Sequence, residues 1–236
     1  MCGRYRVDRT PGFIELASSL NVSPDDFLFN EDCRPAAPIS IIVEPEGKRS
    51  VTPAIWHLYL EQTDKGLKPH KKYFSINTRY DKLKQKFEYK ACRCIILATA
   101  FVESKESKSP YLLSPADGRA IAFGGLYKTW VDKSTGEVVH STSMITVPGH
   151  PNPLMDNIHD KAFPLWLPYD TGVMERWLNP EVKDTAEFDP LLTPRLHTDL
   201  LAVPIDKASK KNPIGNPILI PADQHLIDGR SVQRVV

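Results

Sequence analysis

The chain has 236 residues, of which 41% are hydrophobic and 25% charged, and its formal net charge is +1. That length and balance suit a soluble globular protein with a sizeable core and exclude a globally basic nucleic-acid binder. The opening residues hold no apolar signal segment, no run approaches the ~18 apolar residues of a membrane span, and four cysteines make no disulfide framework in a chain this long; a reduced cytoplasmic protein is expected. In chain order, Thr10-Pro11 ahead of Phe13, Leu16, Ala17 and Leu20 predicts a capped amphipathic helix ended by Asn21. Strands are expected over residues 39–43, 51–60, 94–102, 120–127, 140–147 and 200–205. Asp170 is placed to cap a helix whose Val173, Met174, Trp177 and Leu178 share one face. The 21 prolines fall mostly between these segments and mark loops. Strands outnumber helices and mostly follow one another without helical crossovers. This favours an α+β single domain over residues 1–236, built on a curved, largely antiparallel, barrel-like β-sheet core with flanking helices. Residues 206–236 are poorer in pattern and read as a peripheral C-terminal extension.

The charge is unevenly placed. Lys65, Lys68, His70, Lys71, Lys72, Arg79, Lys82, Lys84, Lys86, Lys90 and Arg93 crowd one stretch, against Asp64, Asp81 and Glu88. Arg4, Arg6 and Arg9 add a basic start. Such a cluster suits phosphates or a solvated face equally well on charge alone.

Met1-Cys2-Gly3-Arg4 carries the sharpest chemical signal. Removal of Met1 before so small a residue would leave Cys2 with a free α-amine beside its thiol, a 1,2-aminothiol that no internal cysteine offers. The thiol ionises near pKa ~8.5 and the amine near ~7.7–8.0, so both nucleophiles are within reach of neutral pH. Together they attack an aldehyde twice, first giving an imine and then closing a five-membered thiazolidine. Cysteine also occurs at position 2 by chance, so residues downstream have to support the reading.

Four segments place polar groups or small residues where an apolar strand would not need them. Asn77 and Arg79 follow a short apolar run at i and i+2 and share one face of an extended chain. Glu103 ends an apolar strand, a common way to place a general acid or base of raised pKa. His159 lies between Asp156 and Asp160 ahead of Phe163-Pro164. Phe123-Gly124-Gly125-Leu126 permits close approach of backbone or ligand. Alone, His159 reads as a surface histidine, Glu103 as a solvated strand end, and Arg79 as the partner of Asp81. The Cys92-x-Cys94 spacing is not that of a structural zinc site, and a buried thiol at Cys94 is the better account. No other histidine has metal-ligand spacing, so neither metal nor cofactor is expected.

In their order these residues resemble the SRAP family, the SOS response associated peptidases. The matches are Met1-Cys2-Gly3-Arg4, the Trp56 segment, Asn77-x-Arg79, Arg93-Cys94 leading to Ala98-Thr99-Ala100-Phe101-Val102-Glu103, Phe123-Gly124-Gly125-Leu126, and Ile158-His159-Asp160-Lys161 running into Phe163-Pro164. Ala202-Val203-Pro204 to Asn212 is similar to the family's closing strand and loop. The resemblance implies an abasic-site sensor of the DNA damage (SOS) response. It would bind single-stranded DNA and trap the ring-opened sugar aldehyde as a covalent thiazolidine DNA–protein crosslink. Residue by residue, it makes Cys2 the nucleophile, Asn77 the group orienting the N-terminus or sugar, Glu103 the proton shuttle and His159 a second acid/base. Arg4, Trp56, Arg79 and Lys82 are the implied DNA contacts. A monomer is expected, since a DNA trap of this kind requires no partner copy, with no obligate protein partner evident, cytoplasmic and nucleoid-associated when on DNA. The peptidase label is secondary, since methionine removal alone would expose Cys2.

The chain departs from the family pattern in three places. The usual Trp-Gly step is Trp56-His57. The usual Tyr-Asn-x-Ala-Pro-Thr segment becomes Glu31-Asp32-Cys33-Arg34-Pro35-Ala36, losing an asparagine. The usual Phe-Tyr-Glu-Trp becomes Phe101-Val102-Glu103-Ser104, losing a tryptophan. Two rival readings are an N-terminal-nucleophile cysteine amidohydrolase and a noncatalytic DNA-binding module. Against the first, Arg4-Tyr5-Arg6 lacks the apolar strand that follows that family's cysteine.

Overall fold

The computed structural model describes residues 2–105 and 109–223; Met1, residues 106–108 with Glu106, and residues 224–236 with His225 lie outside the described residues. The chain begins with β1 (Arg4–Val7), α1 (Pro11–Ser19), β2 (Asn30–Cys33), β3 (Pro38–Val43) and β4 (Ser50–Trp56). A hairpin follows, β5 (Leu60–Thr63) and β6 (Gly66–Pro69), then β7 (Asn77–Arg79), α2 (Phe87–Ala91), β8 (Arg93–Ala98) and β9 (Ala100–Glu103). The rest comprises β10 (Tyr111–Pro115), β11 (Ile121–Val131), β12 (Val138–Val147), α3 (Pro153–Ile158), β13 (Phe163–Pro164), α4 (Thr171–Leu178), β14 (Leu200–Pro204) and β15 (Ile218–Ile220).

Strands β11-β8-β3-β4-β12 close on themselves, because β11 pairs with both β8 and β12. Closure into this five-stranded, barrel-like sheet removes free edges along the ring. β12 runs parallel to β4 and β7, while the other pairings in the ring are antiparallel. A second sheet, ordered β15-β14-β10-β9-β1-β2, is antiparallel throughout. The run expected as one strand over 94–102 divides at Thr99 into β8, in the ring, and β9, in the second sheet. Thr99 makes that step by donating its N–H to the Arg6 carbonyl at 2.9 Å and accepting from the Asp8 N–H at 3.2 Å. One continuous apolar segment thus joins both sheets and ends on Glu103.

Both expected helices form. Thr10 caps α1 by accepting the Phe13 N–H, and Asp170 caps α4 by accepting the Val173 N–H. Several short strands were not foreseen: β1, β2, β7, β10 and the β5–β6 hairpin. β1 alternates half-buried Arg4 and Arg6 with buried Tyr5 and Val7, so a strand does follow Cys2. Its pattern is period-2 rather than apolar, which the sequence reading missed. Arg93 is a second correction. It belongs to the core rather than the basic face, buried and donating to the carbonyls of Trp177, Tyr89 and Asn179 at 2.6–2.7 Å. No helix among the described residues is long and apolar enough to cross a membrane.

Candidate functional site

The pairing of β1 with β9 sets the site. Arg4 lies opposite Val102 and the strands run antiparallel, so the residues ahead of β1 are carried to Glu103 at the end of β9. Cys2 is fully buried there, its thiol directed at the Arg4 carbonyl at 3.8 Å. Asn77, placed by the parallel pairing of β7 with β12, donates its amide N–H to the Cys2 carbonyl at 2.9 Å. Burial, reinforced by the Glu103 carboxylate, pushes the Cys2 thiol well above its ordinary value. A thiol in that state needs a base close by to become a nucleophile.

Glu103 is the group beside it. The carboxyl is 3% exposed, and burial pushes its pKa up to about 7. A carboxyl that titrates there gives and takes protons at neutral pH. His159 lies 3.8 Å from the Glu103 carboxylate and donates Nδ1–H to the Ser104 carbonyl at 2.9 Å. With Nδ1 as donor, the neutral ring carries its lone pair on Nε2. Burial pushes the His159 pKa down, which favours that neutral ring. His159 is therefore a buried histidine, not the surface one that its loop sequence suggests.

Two contacts orient the His159 loop. Lys105 pairs with Asp160 at 2.9 Å and donates to the Asp156 carbonyl at 3.1 Å. Gly149 packs so closely on the same loop that a Cβ there would lie 2.1 Å from the Asp160 carbonyl. Gly124 serves the core instead. A Cβ there would meet Leu165 at 2.7 Å, so the glycine pair admits side chains of the fold rather than a ligand.

Residues that contact Cys2 line two openings. On the Glu103 side is a cavity of about 250 Å³ lined by Gly3, Arg4, Val102, Glu103, Ser104 and Ala208. On the Asn77 side is a groove of about 750 Å³. Lys72, Arg79, Lys82, Lys86 and Lys128 line it, with Tyr59, Tyr73, Phe74 and Phe87 between them. Phe74 and Phe87 are 70% and 72% exposed, unusual for rings in a folded chain. The groove's one carboxylate, Glu88, is neutralised by Lys128 at 2.8 Å.

The structure sorts the expected contacts unequally. Arg79 and Lys82 line the groove, with Arg79 paired at 3.1 Å with Asp81. Arg4 faces the small cavity and is bound to Asp32. Trp56 does not reach either opening. It is fully buried, donates its indole N–H to the Ile76 carbonyl at 2.9 Å and stacks edge-on with Tyr5, so it is a core residue and not a stacking platform. Sequence reading missed Tyr73, Phe74 and Phe87, although aromatic residues interleaved with lysines over that stretch were a readable signal. Cys94 is a buried thiol 3.4 Å from the Thr142 hydroxyl. Among the described residues no cluster of His, Cys, Asp and Glu has the arrangement to hold a metal ion.

The model of the family described as SOS response associated peptidase (SRAP) matches residues 1–211, which include every residue of this site. The chain belongs to the SRAP family. Solved structures of the same fold include a Bacteroides thetaiotaomicron protein, 23% identical with a TM-score of 0.69, covering 87% of this chain and 93% of that one. A Bordetella bronchiseptica protein is 22% identical with a TM-score of 0.67, covering 87% of this chain and all of the other. A phage-related protein from the same species is 16% identical with a TM-score of 0.59, covering 90% and 100%. No curated protein matches the chain. The SRAP family's name ties this chain to the response to DNA damage.

Proposed function

We propose that this SRAP protein, once Met1 is removed, binds single-stranded DNA and captures abasic sites as a thiazolidine crosslink on Cys2. The observation that supports it best is the position of the residue-2 thiol. Asn77, which lines the groove of exposed rings and cations, holds the Cys2 carbonyl, and the thiol sits beside a buried carboxyl whose pKa is pushed up to about 7. The rings offer faces for unpaired bases and the cations offer partners for phosphates. Asn77 holds the Cys2 carbonyl, which orients the α-amine and thiol toward the lesion.

In this mechanism the α-amine adds to C1 of the ring-opened sugar aldehyde, giving a carbinolamine. Glu103, protonated by then, supplies the proton with which the hydroxyl leaves as water, and a protonated imine remains. The thiol proton passes to the Glu103 carboxylate and the sulfur adds to the imine carbon. Amine, thiol and aldehyde thus become thiazolidine and one water. His159 assists as a second base through Nε2, in opening the sugar or in returning protons to Glu103. The protein acts as a monomer where the chromosome lies, in the cytoplasm.

A single-stranded oligonucleotide with one abasic site tests this, using protein whose loss of Met1 is confirmed by mass. A band that survives denaturation and vanishes in Cys2→Ala is expected. No such band from Met1-free protein overturns the proposal, and release of ammonia from glutamine would then identify an amidohydrolase.

A further inference from the structure

Asp32 stands on β2 and holds two cations from distant parts of the chain. One carboxylate oxygen accepts from the Arg4 guanidinium, and the other accepts from Lys211 Nζ at 2.8 Å. Lys211 is the more deeply placed of the three, its side chain only 6% exposed, whereas those of Arg4 and Asp32 are 28% and 31% exposed. A lysine that far from water needs its counter-charge. Burial by itself would raise the Asp32 carboxyl, but the hydrogen bonds from Arg4 and Lys211 hold it below the ordinary range, so it stays an anion at neutral pH.

The loop carrying Lys211 is shaped for this contact. Asp206 accepts from the Asn212 N–H at 3.1 Å and its amide at 3.0 Å, tying the loop's ends together. Lys211 itself adopts φ 61°, the left-handed region that residues with a side chain rarely occupy. Strain of that kind persists only where surrounding contacts enforce it. The same loop places Ala208 in the wall of the cavity shared by Gly3, Arg4 and Glu103. Asp32 thus supplies the counter-charge to Arg4 and Lys211 together, which makes the three residues one device.

We infer that Asp32 and Lys211 form an ionic clasp that positions Arg4, and through it the backbone of Cys2, for the crosslinking step. This rests on the function proposed above. Arg4 opens β1, and its carbonyl is the atom against which the Cys2 thiol leans at 3.8 Å. Asn77 holds the Cys2 carbonyl from the groove side. The clasp holds the other side. Lys211 and Asp32 are positioning residues, since neither need touch the DNA.

The test compares Lys211→Met, Lys211→Arg, Asp32→Asn and the double variant Asp32→Asn with Lys211→Met, all free of Met1, in single-turnover crosslinking to the abasic oligonucleotide. Lys211→Met should slow crosslinking at saturating DNA by ~10-fold to ~100-fold, the cost of a misplaced nucleophile, while the half-saturating DNA concentration stays within about twofold. Lys211→Arg should recover most of the rate. The double variant should be no slower than the worse single, as coupled partners require. Lys210→Ala, an exposed neighbour outside the clasp, should match the unmodified protein. The inference is overturned if Lys211→Met reacts at the unmodified rate, if its defect lies wholly in half-saturation, or if Lys210→Ala shares the defect. Should Lys211→Met fail to fold, the double variant removes both charges and carries the same test. Alkylation of Cys2 by iodoacetamide, read by peptide mass, needs no DNA chemistry. Faster alkylation in the clasp variants supports the clasp even where no protein forms an adduct, and an unchanged rate there overturns it.

Discussion

On the groove side of Cys2, the ion pair of Arg79 with Asp81 leaves the guanidinium 67% exposed, and neighbouring rings stand in solvent. On the cavity side, the Glu103 carboxylate and His159 ring face each other at 3.8 Å with side chains 2% and 8% exposed. Both sides bring charged groups to the same cysteine, yet water divides their behaviour. In the groove, charge stays screened and ready for exchange, so Arg79 can leave Asp81 for a phosphate at little cost. In the cavity, loss of water raises the Glu103 pKa to about 7, so that this carboxyl exchanges protons near neutral pH, and lowers that of His159, which favours its neutral ring. The groove suits recognition and the cavity suits chemistry.

Glu103→Gln tests that division most severely. Crosslinking should slow by ~10²-fold or more, the usual value of a general acid/base, with affinity for intact single strands unchanged. Stability should move the other way. Below the ordinary glutamate value of 4.5 both folded and unfolded chains hold the proton, so Glu103 has no effect there. Between 4.5 and about 7 the folded chain keeps a proton that the unfolded chain has lost, so stability falls as pH rises. Above that window the full cost of a buried carboxylate is present, and Glu103→Gln should be the more stable protein at pH 8 by up to ~3 kcal/mol. Denaturant melts of both proteins at pH 4 and pH 8 check this; a variant no more stable than the unmodified protein at pH 8 would show that burial does not raise the Glu103 carboxyl.

Trp56→Ala separates core from groove. It should lose ~3–5 kcal/mol of stability, as for large-to-small changes in a packed interior. A well-folded variant that had lost only DNA affinity would return Trp56 to the groove. Phe74→Ala should show the reverse, unchanged melting with affinity for single strands reduced by the ~1–3 kcal/mol of one base stack. Arg79→Ala should cost least, ~1 kcal/mol, because an exposed cation already has Asp81, and should lower the salt slope by about one. An unchanged slope would remove Arg79 from the phosphate path.

Much of the site is legible in the residues before any fold is known. Cys2 beside a small residue, Asn77 and Arg79 on one face, and a carboxylate ending an apolar strand all follow from local chemistry and period-2 geometry. The helices at Pro11 and Thr171 follow from their caps, and a largely antiparallel sheet from the succession of apolar runs, whereas its closure into a ring rests on the pairing of β11 with both β8 and β12. Short charged strands did not announce themselves, because β1 and β2 are held by their neighbours in the sheet rather than by their own propensity.

Sequence alone therefore determined which groups this SRAP chain could use, since a 1,2-aminothiol or a carboxyl is a property of the residue itself. Tertiary structure alone decided where water goes. Burial cannot be read from a residue's type: Trp56 and Arg93 are aromatic and basic like the groove residues, yet both lie in the core. Phe74 and Phe87 are apolar, yet both stand in solvent. Which carboxylate holds Lys211, and which thiol meets Glu103, depends on the register of β1 between β2 and β9, a long-range pairing that brings Arg4 to Asp32 and to Val102.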